Sequence, residues 1–384
     1  MPADRNIDIT VIGAGAAGLT AAYSLRALGL VALRDFVVLD AQPLPGSTWQ
    51  HAWNSLTVGR ALQFGELIDI AGQADLGLSF RNLDPQRRVR EAVGSVWRYY
   101  EDAYGLFVTH GMRVTSVRSK PRRDDLRVFY TGPSTPLTSS GTGSVELSTR
   151  VVINASGSWS NPFVPWYPGQ TEFRGSQHHA YRIDHFGPYR DQRVLVVGGG
   201  RGAVSILLEL ERRGADTLWS TRREPDFHAK PSFGIQPRRA LTVSELADAN
   251  LSKVRRMIER GKRMPSDVSV RGIPLTRETF DARRRGTLSS RGPIERLLPE
   301  GVRFADGTEE QIDAVIWATG GRESLRHLAP LGLRDAGGSP KIVGGWSRRD
   351  DRVAFLGYGP GMDPADVLDE ALRIGQDAID RLEG

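Results

Sequence analysis

Ile7-Asp-Ile-Thr-Val-Ile12 runs straight into Gly13-Ala-Gly15-Ala-Ala-Gly18, and the residues after it, Leu19 to Gly29, have helical spacing. A strand, a glycine turn and a helix in that order form a phosphate cradle. The first glycine permits the tight turn, the second lets backbone approach a pyrophosphate, and the third position must be small so that helix packs on strand. The helix N-terminus adds free N–H groups and the positive end of its dipole. The pattern recurs where Val194-Leu-Val-Val197 meets Gly198-Gly-Gly200-Arg201-Gly202-Ala203, again followed by a helical stretch, Val204 to Gly214. One such turn is common in α/β proteins. Two imply two dinucleotides on one chain, and two redox dinucleotides side by side imply electron flow between them. The expected fold class is α/β, with two Rossmann-like dinucleotide-binding domains and the second inserted into the first.

The strand ends behind the two turns differ. Phe36-Val-Val-Leu-Asp40 closes on an acid, which can accept hydrogen bonds from both ribose hydroxyls of an adenosine and disfavours a 2′-phosphate. Asp216-Thr-Leu-Trp-Ser-Thr-Arg222-Arg223 closes on two arginines, which accommodate a 2′-phosphate. The first site therefore reads as an FAD site and the second as an NADPH site, with NADH as the alternative. A surface acid at Asp40 and solvated arginines are the plainer readings of the same residues.

The 384 residues suit two to three domains, and the charged content of 25% is that of an ordinary globular protein. The net charge of +6 comes with interspersed acids and without a nucleic-acid motif, so no nucleic-acid partner is expected. The polar start, Met1 to Asn6, leads into a strand and no apolar run is long enough to span a bilayer; a cytoplasmic protein without membrane attachment is expected. Cysteine is absent, which removes any thiol relay from flavin to substrate, and the seven histidines have no metal-binding spacing, so no metal is expected.

The expected organisation places a first FAD-binding part at 1–168, an NADPH-binding domain at 169–318 with a helical insertion at about 225–300, and the remainder of the FAD domain at 319–384. The proline-rich Asn161-Pro-Phe-Val-Pro-Trp-Tyr-Pro168 excludes regular structure and reads as a crossing between domains. Arg150 to Gly157 and Asp313 to Gly320 each read as a buried strand ending in a small-residue turn. Val243 to Lys262 has a helical pattern, and Asp306-Gly307 marks a hairpin.

In this order the motifs resemble those of the flavin-containing monooxygenases, in particular their small bacterial branch, over nearly the whole chain. Phe173-Arg-Gly175-Ser-Gln-His-His179 is similar to the family's FxGxxxH signature, Gly46-Ser-Thr48-Trp49 to its GGxW segment, and Ala155-Ser156-Gly157 and Ala318-Thr319-Gly320 to its ATG turns. Two departures stand out. Ile183 occupies the position of the family's aromatic residue, with Tyr181 two residues early, and there is no aromatic-Pro pair of the Baeyer–Villiger branch. The resemblance implies that NADPH reduces FAD, that reduced FAD adds dioxygen at C4a, and that one oxygen atom passes to a small organic substrate, most readily at sulfur or nitrogen. Beyond the two turns, Asp40 and the arginines, it assigns cofactor binding to Gln42, Thr48, Trp49, Trp53, Val114, Ser156, Gly157, His179, Thr319, Gly320 and Gly357. Asn54 is the candidate catalytic group beside the flavin. The implied partners are substrate and dioxygen, with a homodimer left open. The rival activities are ketone oxygenation of the Baeyer–Villiger type, a dehydrogenase that hands electrons to a quinone or protein, and a non-enzymatic redox sensor.

Overall fold

The computed structural model describes residues 6–119, 125–132, 144–229, 254–262, 272–359 and 364–383. Most of the helix expected over Val243–Lys262 lies outside them; its 254–259 part is helical.

The first sheet grows from β1 (Asn6–Ile12), which pairs in parallel with β2 (Phe36–Leu39) on one side and β5 (Val145–Asn154) on the other. Helix α1 (Ala16–Ala27) connects β1 to β2 and is buried on most of its circumference, through Leu19, Ala21, Ala22 and Leu25. Small residues at Ala16, Ala17, Gly18, Ala21 and Ala22 let it sit close to the sheet and to a C-terminal helix. Helix α2 (Val58–Gln63) and helix α3 (Val89–Ala103) follow. The latter buries Val89, Val93, Val96, Trp97 and Tyr100 along one stripe at three- and four-residue spacing. Each such side chain contributes on the order of 1.5–3 kcal/mol of transfer free energy.

β3 (Arg113–Ser119) and β4 (Leu126–Thr131) form a hairpin that continues antiparallel into β5. The buried strand expected from Arg150 starts earlier: Val145 to Asn154 form one ten-residue strand whose Val145 to Thr149 pair with β4 on one edge while Ser148 to Asn154 pair with β1 on the other. Ser148 and Thr149, between Leu147 and Arg150, are both buried, and with neither Gly nor Pro there the strand runs through.

The second sheet contains β6 (Ser176–His179), β7 (Arg193–Val197), β8 (Asp216–Ser220) and β14 (Ala314–Trp317), all parallel, in the order β6-β14-β7-β8. Its helix α4 (Arg201–Arg212) leads from β7 to β8. Between β8 and β14 come β9 (Phe227–Ala229), β10 (Ile273–Leu275), helix α5 (Arg277–Arg285) and the antiparallel β11 (Ile294–Leu298), β12 (Gly301–Phe304) and β13 (Glu309–Gln311). Ile273, Ala282 and Leu288 share a core with β7 and α4, whereas Val254 and Ile258 of the same stretch pack in the core of the first sheet with Ile7, Val37 and Phe355. The His-bearing segment 176–179, the end of the FxGxxxH-like stretch, is an edge strand.

After β14 the chain returns to the first sheet through β15 (Ile342–Val343), β16 (Trp346–Ser347) and β17 (Val353–Phe355), which pairs in parallel with β5. Helix α6 (Pro364–Glu383) closes against α1. No helix among the described residues is long and apolar enough to cross a membrane.

Candidate active site: two nucleotide cradles and their junction

Both glycine turns form as the sequence requires. At the first, Gly13 has φ +102° and a Cβ there would lie 2.5 Å from the Ala155 carbonyl oxygen. A Cβ on Gly18 would meet the Gly13 oxygen at 1.8 Å, so the helix could not approach the strand with any larger residue. Gly15 caps α1 in extended conformation, with no side-chain capping hydrogen bond. At the second, Gly198 has φ +140° with its Cβ position 2.2 Å from the Ala318 oxygen, and Gly200 caps α4 in the same way. Gly157 and Gly320, the last residues of the two Ala-Ser/Thr-Gly turns, have φ of +60° and +68° and open space where a Cβ would stand. Each cradle thus presents first-turn amides and bare glycine backbone, the donor set a pyrophosphate takes.

Asp40 is buried, and its two carboxylate oxygens accept from the amides of Ala14 and Gln42, each at 2.6 Å. The acid therefore fastens the strand end to the glycine turn, and each oxygen keeps a lone pair for a ribose hydroxyl. Gln42 turns its side chain to His51, whose Nε2 is 2.7 Å from Gln42 Oε1. Behind Asp40 lies a pair that sequence reasoning missed, buried Glu101 with Oε2 2.9 Å from His110 Nε2. Burial raises the Glu101 pKa against the lowering effect of His110. Thr109 and Gly111 on either side of His110 bond to the backbone of Asp40 and Gln42, but the two partners are nine residues apart with no motif to announce them.

Val114 lies on β3 opposite Tyr130, beside a register shift. Thr48 and Trp49 fall in a short helical turn, Ser47–His51, entered through left-handed Gly46. Trp49 packs on the first core, whereas Trp53 touches both cores and meets the Phe186 ring edge-on at 5.6 Å. Gly357 brings the C-terminal segment close to α1, its Cβ position 3.6 Å from Ala17. The structure turns Asn54 toward Asp184, its amide Nδ2 donating to Oδ2 at 2.9 Å while its backbone N–H donates to the Asp184 carbonyl oxygen. Arg90 holds the other Asp184 carboxylate oxygen at 2.8 Å.

On the second side, Arg201 opens α4 but its guanidinium donates to the carbonyls of Phe64 and Gly272 at 3.0 and 3.1 Å, joining the two units. Gly202 is exposed in the first turn of α4. Arg222 and Arg223 are exposed and make no ion pair among the described residues. His179 is buried: its Nδ1 accepts from the Tyr181 amide at 3.1 Å and its Nε2 faces the Gly320 carbonyl at 3.0 Å. That fixes the neutral tautomer with the proton on Nε2. Burial lowers its pKa, the Gly320 carbonyl opposes this, and Arg182 reinforces it. His179 is a clasp on the second small-residue turn, whose Thr319 hydroxyl donates to the Phe163 carbonyl. In the first, Ser156 Oγ donates to the Ser324 carbonyl at 2.9 Å.

A family described as pyridine nucleotide-disulphide oxidoreductase matches residues 10–270. The flavin-containing monooxygenase from Stenotrophomonas maltophilia is 29% identical, with a TM-score of 0.73 over 98% of this chain and 99% of that one; a doubly substituted mutant of the same organism's enzyme is 30% identical over 98% of both chains. The chain belongs to that family, in its flavin-containing monooxygenase branch. Rice indole-3-pyruvate monooxygenase YUCCA1 is 28% identical over 85% of this chain and 79% of its own length. A Baeyer-Villiger monooxygenase of Streptomyces coelicolor is 29% identical over 58% of this chain and 38% of its own length. A flavin-containing monooxygenase uses FAD and NAD(P)H to pass oxygen to a small molecule, and both cradles fit those two dinucleotides. With no cysteine in the chain, the thiol chemistry in the wider family's description has no residue to carry it.

Proposed function

We propose that the chain is an NADPH-dependent monooxygenase that oxygenates sulfur or nitrogen in a small organic substrate. In this reading residues 1–168 and 319–384 bind FAD and residues 169–318 bind NADPH. What supports NADPH is the pair of exposed arginines, Arg222 and Arg223, just past the end of β8 and one and two places beyond the position at which the first unit carries a buried acid. A guanidinium forks onto a phosphate oxygen pair. What supports sulfur or nitrogen is the FxGxxxH segment ending at His179 without an aromatic-Pro pair after it.

When bound, the flavin accepts hydride and supplies the reduced centre that activates oxygen. The rest is the work of this chain. The amides of the first α1 turn and Asp40 hold the FAD diphosphate and ribose. Gly200, Gly202 and the α4 N-terminus hold the NADPH diphosphate, and Arg222 its 2′-phosphate. Trp53, which touches both cores, covers the junction and keeps water out, and Trp49 packs beside it on the flavin side. Asn54, hydrogen-bonded to Asp184, stands in the segment that faces both units and orients substrate or cofactor there.

Carbonyl oxygenation is the second reading, because the rice relative is named for indole-3-pyruvate and the Streptomyces relative for Baeyer–Villiger chemistry. The purified yellow protein is given NADPH, ¹⁸O₂ and, in turn, a thioether, a tertiary amine and a cyclic ketone. Labelled sulfoxide or N-oxide supports the first reading and labelled lactone the second. Flavin turnover with a quinone and no label in any product would replace both by a dehydrogenase.

A further inference from the structure

Tyr181, the aromatic residue that sits two places early after the FxGxxxH segment, stacks on Trp159 with ring centres 4.0 Å apart and planes at 18°. Trp159 stacks in turn on His51 at 5.9 Å and 14°, and Tyr181 meets His179 edge-on at 4.6 Å. The four rings belong to three chain segments. His51 lies in the 47–51 turn on the flavin side, bonded to Gln42; Trp159 lies in the first crossing between the sheets; His179 ends β6 and Tyr181 follows it.

The first crossing is itself laced to the returning one. Phe163 N–H donates to the Gly320 oxygen and Arg322 N–H to the Asn161 oxygen, at 2.9 and 2.8 Å, and Ser324 N–H donates to the Gly157 oxygen at 2.8 Å. Both covalent crossings from one sheet to the other are therefore collected into one ribbon. The ring stack ties that ribbon to the turn beside the first cradle. Among the described residues, neither Trp159 nor Tyr181 belongs to any of the four hydrophobic clusters, so the pair adds little to core burial.

We propose that the Trp159–Tyr181 stack is a positioning element for hydride transfer, setting the angle between the two nucleotide cradles and hence the approach of nicotinamide to flavin. This rests on the reading of the two cradles given above. Hydride transfer needs donor and acceptor held in a near-attack geometry, where a displacement of about 1 Å costs up to about 100-fold in rate. The out-of-register aromatic then has a purpose: Ile183, at the family position, is buried in the second core, while Tyr181 turns its ring to the first crossing.

The test compares Trp159→Ala, Tyr181→Ala and Tyr181→Phe holoenzymes in anaerobic stopped-flow reduction by NADPH. Amide hydrogen exchange of the same holoenzymes is read alongside. Both alanine variants are expected to lower the limiting rate of flavin reduction by roughly 10- to 100-fold while the Kd for NADPH and the reaction of dithionite-reduced flavin with oxygen stay near wild type. Tyr181→Phe keeps the stack and restores the rate. Exchange should rise in 157–163 and 320–325 in the alanine variants and not elsewhere. A wild-type reduction rate in Trp159→Ala overturns the proposal, as does unchanged exchange in the two crossings. If the wild type itself is not reduced by NADPH, the functional reading falls, and the exchange result still decides whether the stack holds the ribbon.

Discussion

At the first glycine turn the amide of Gly13 donates to the Leu39 oxygen and that of Ala155 to the Ile12 oxygen; at the second, Gly198 donates to Ser220 and Ala318 to Val197, all between 2.8 and 3.0 Å. Leu39 thus corresponds to Ser220, so the residue equivalent to Asp40 is Thr221 and Arg222 stands one place beyond. Asp40 turns inward and bonds its own glycine turn. Thr221 is also buried but bonds the Arg223 carbonyl and the Ser290 hydroxyl at 2.7 and 2.6 Å, which leaves the strand end to project Arg222 and Arg223 outward. One backbone plan therefore carries two strand ends of opposite character, a buried acid turned inward at the first and exposed arginines at the second.

The harshest way to break the comparison is to add a methyl group to the first glycine of each turn. Gly13→Ala and Gly198→Ala each force φ > 0 on an L-residue, a strain of about 1–2 kcal/mol, and drive Cβ into a backbone carbonyl that cannot yield. Gly13→Ala is expected to purify without flavin, or not to fold. Gly198→Ala should remain yellow and be reduced by dithionite but not by NADPH. Normal reduction of Gly198→Ala by NADPH would show that the second turn is not the nicotinamide cradle.

Each small-residue turn also has a neutral histidine behind it, and the two differ in depth. His327 Nε2 lies 2.8 Å from Asn154 Oδ1, just before Ala155, and burial pushes its pKa down to about 4. His179 serves Gly320 and is lowered by burial and Arg182. As pH falls, the unfolded chain takes up the His327 proton first, near ~6.5. The stability from neutral His327 is complete above that pH and is lost between about 6.5 and about 4, up to roughly 3 kcal/mol. Urea unfolding at pH 7, 5.5 and 4.5 should show the decline, and His327→Gln, which keeps the donor without the titration, should flatten it. A Gln variant with the wild-type slope would assign the decline to other groups.

Arg222→Ala tests the difference between the strand ends directly. Hydrogen bonds to a charged group contribute about 1.5–3 kcal/mol, so the Michaelis constant for NADPH is expected to rise roughly 10- to 150-fold. That for NADH should hardly move. Equal effects on the two nucleotides would remove the 2′-phosphate from Arg222.

The backbone half of this comparison was legible in the sequence, because glycine spacing reports directly on space and φ: Gly13, Gly18 and Gly198 could be no other residue. The small-residue turns at Ala155 and Ala318 were legible for the same reason. Side-chain partners were not. That Asn54 would bond Asp184 across 130 positions, or Arg201 the Phe64 carbonyl across 137, depends on how two sheets settle against each other, and no local periodicity encodes it. The one-place offset between Asp40 and Arg222 was hidden too, since only the hydrogen-bond register fixes which residues correspond. The buried Glu101–His110 pair lacked any signal because charge in a helix–loop segment ordinarily means solvent.

The first helical turn gives the gentlest test. Gly18, whose counterpart in the second cradle is Ala203, is packed so closely that a Cβ meets the Gly13 oxygen at 1.8 Å, while Gly202, the counterpart of Ala17, has nothing within 4 Å. Ala in place of Gly inside a helix is worth up to about 1 kcal/mol, which in a chain of this size raises Tm by about 1 °C. Gly202→Ala should therefore be slightly more stable than wild type, where Gly18→Ala is strongly destabilised. If the open space over Gly202 is where the NADPH diphosphate lies, the same methyl group must also weaken NADPH binding while FAD content stays unchanged. A variant that gains stability and keeps its NADPH affinity would mean that the space over α4 is bare solvent, and the likeness of the two cradles would stop at the backbone.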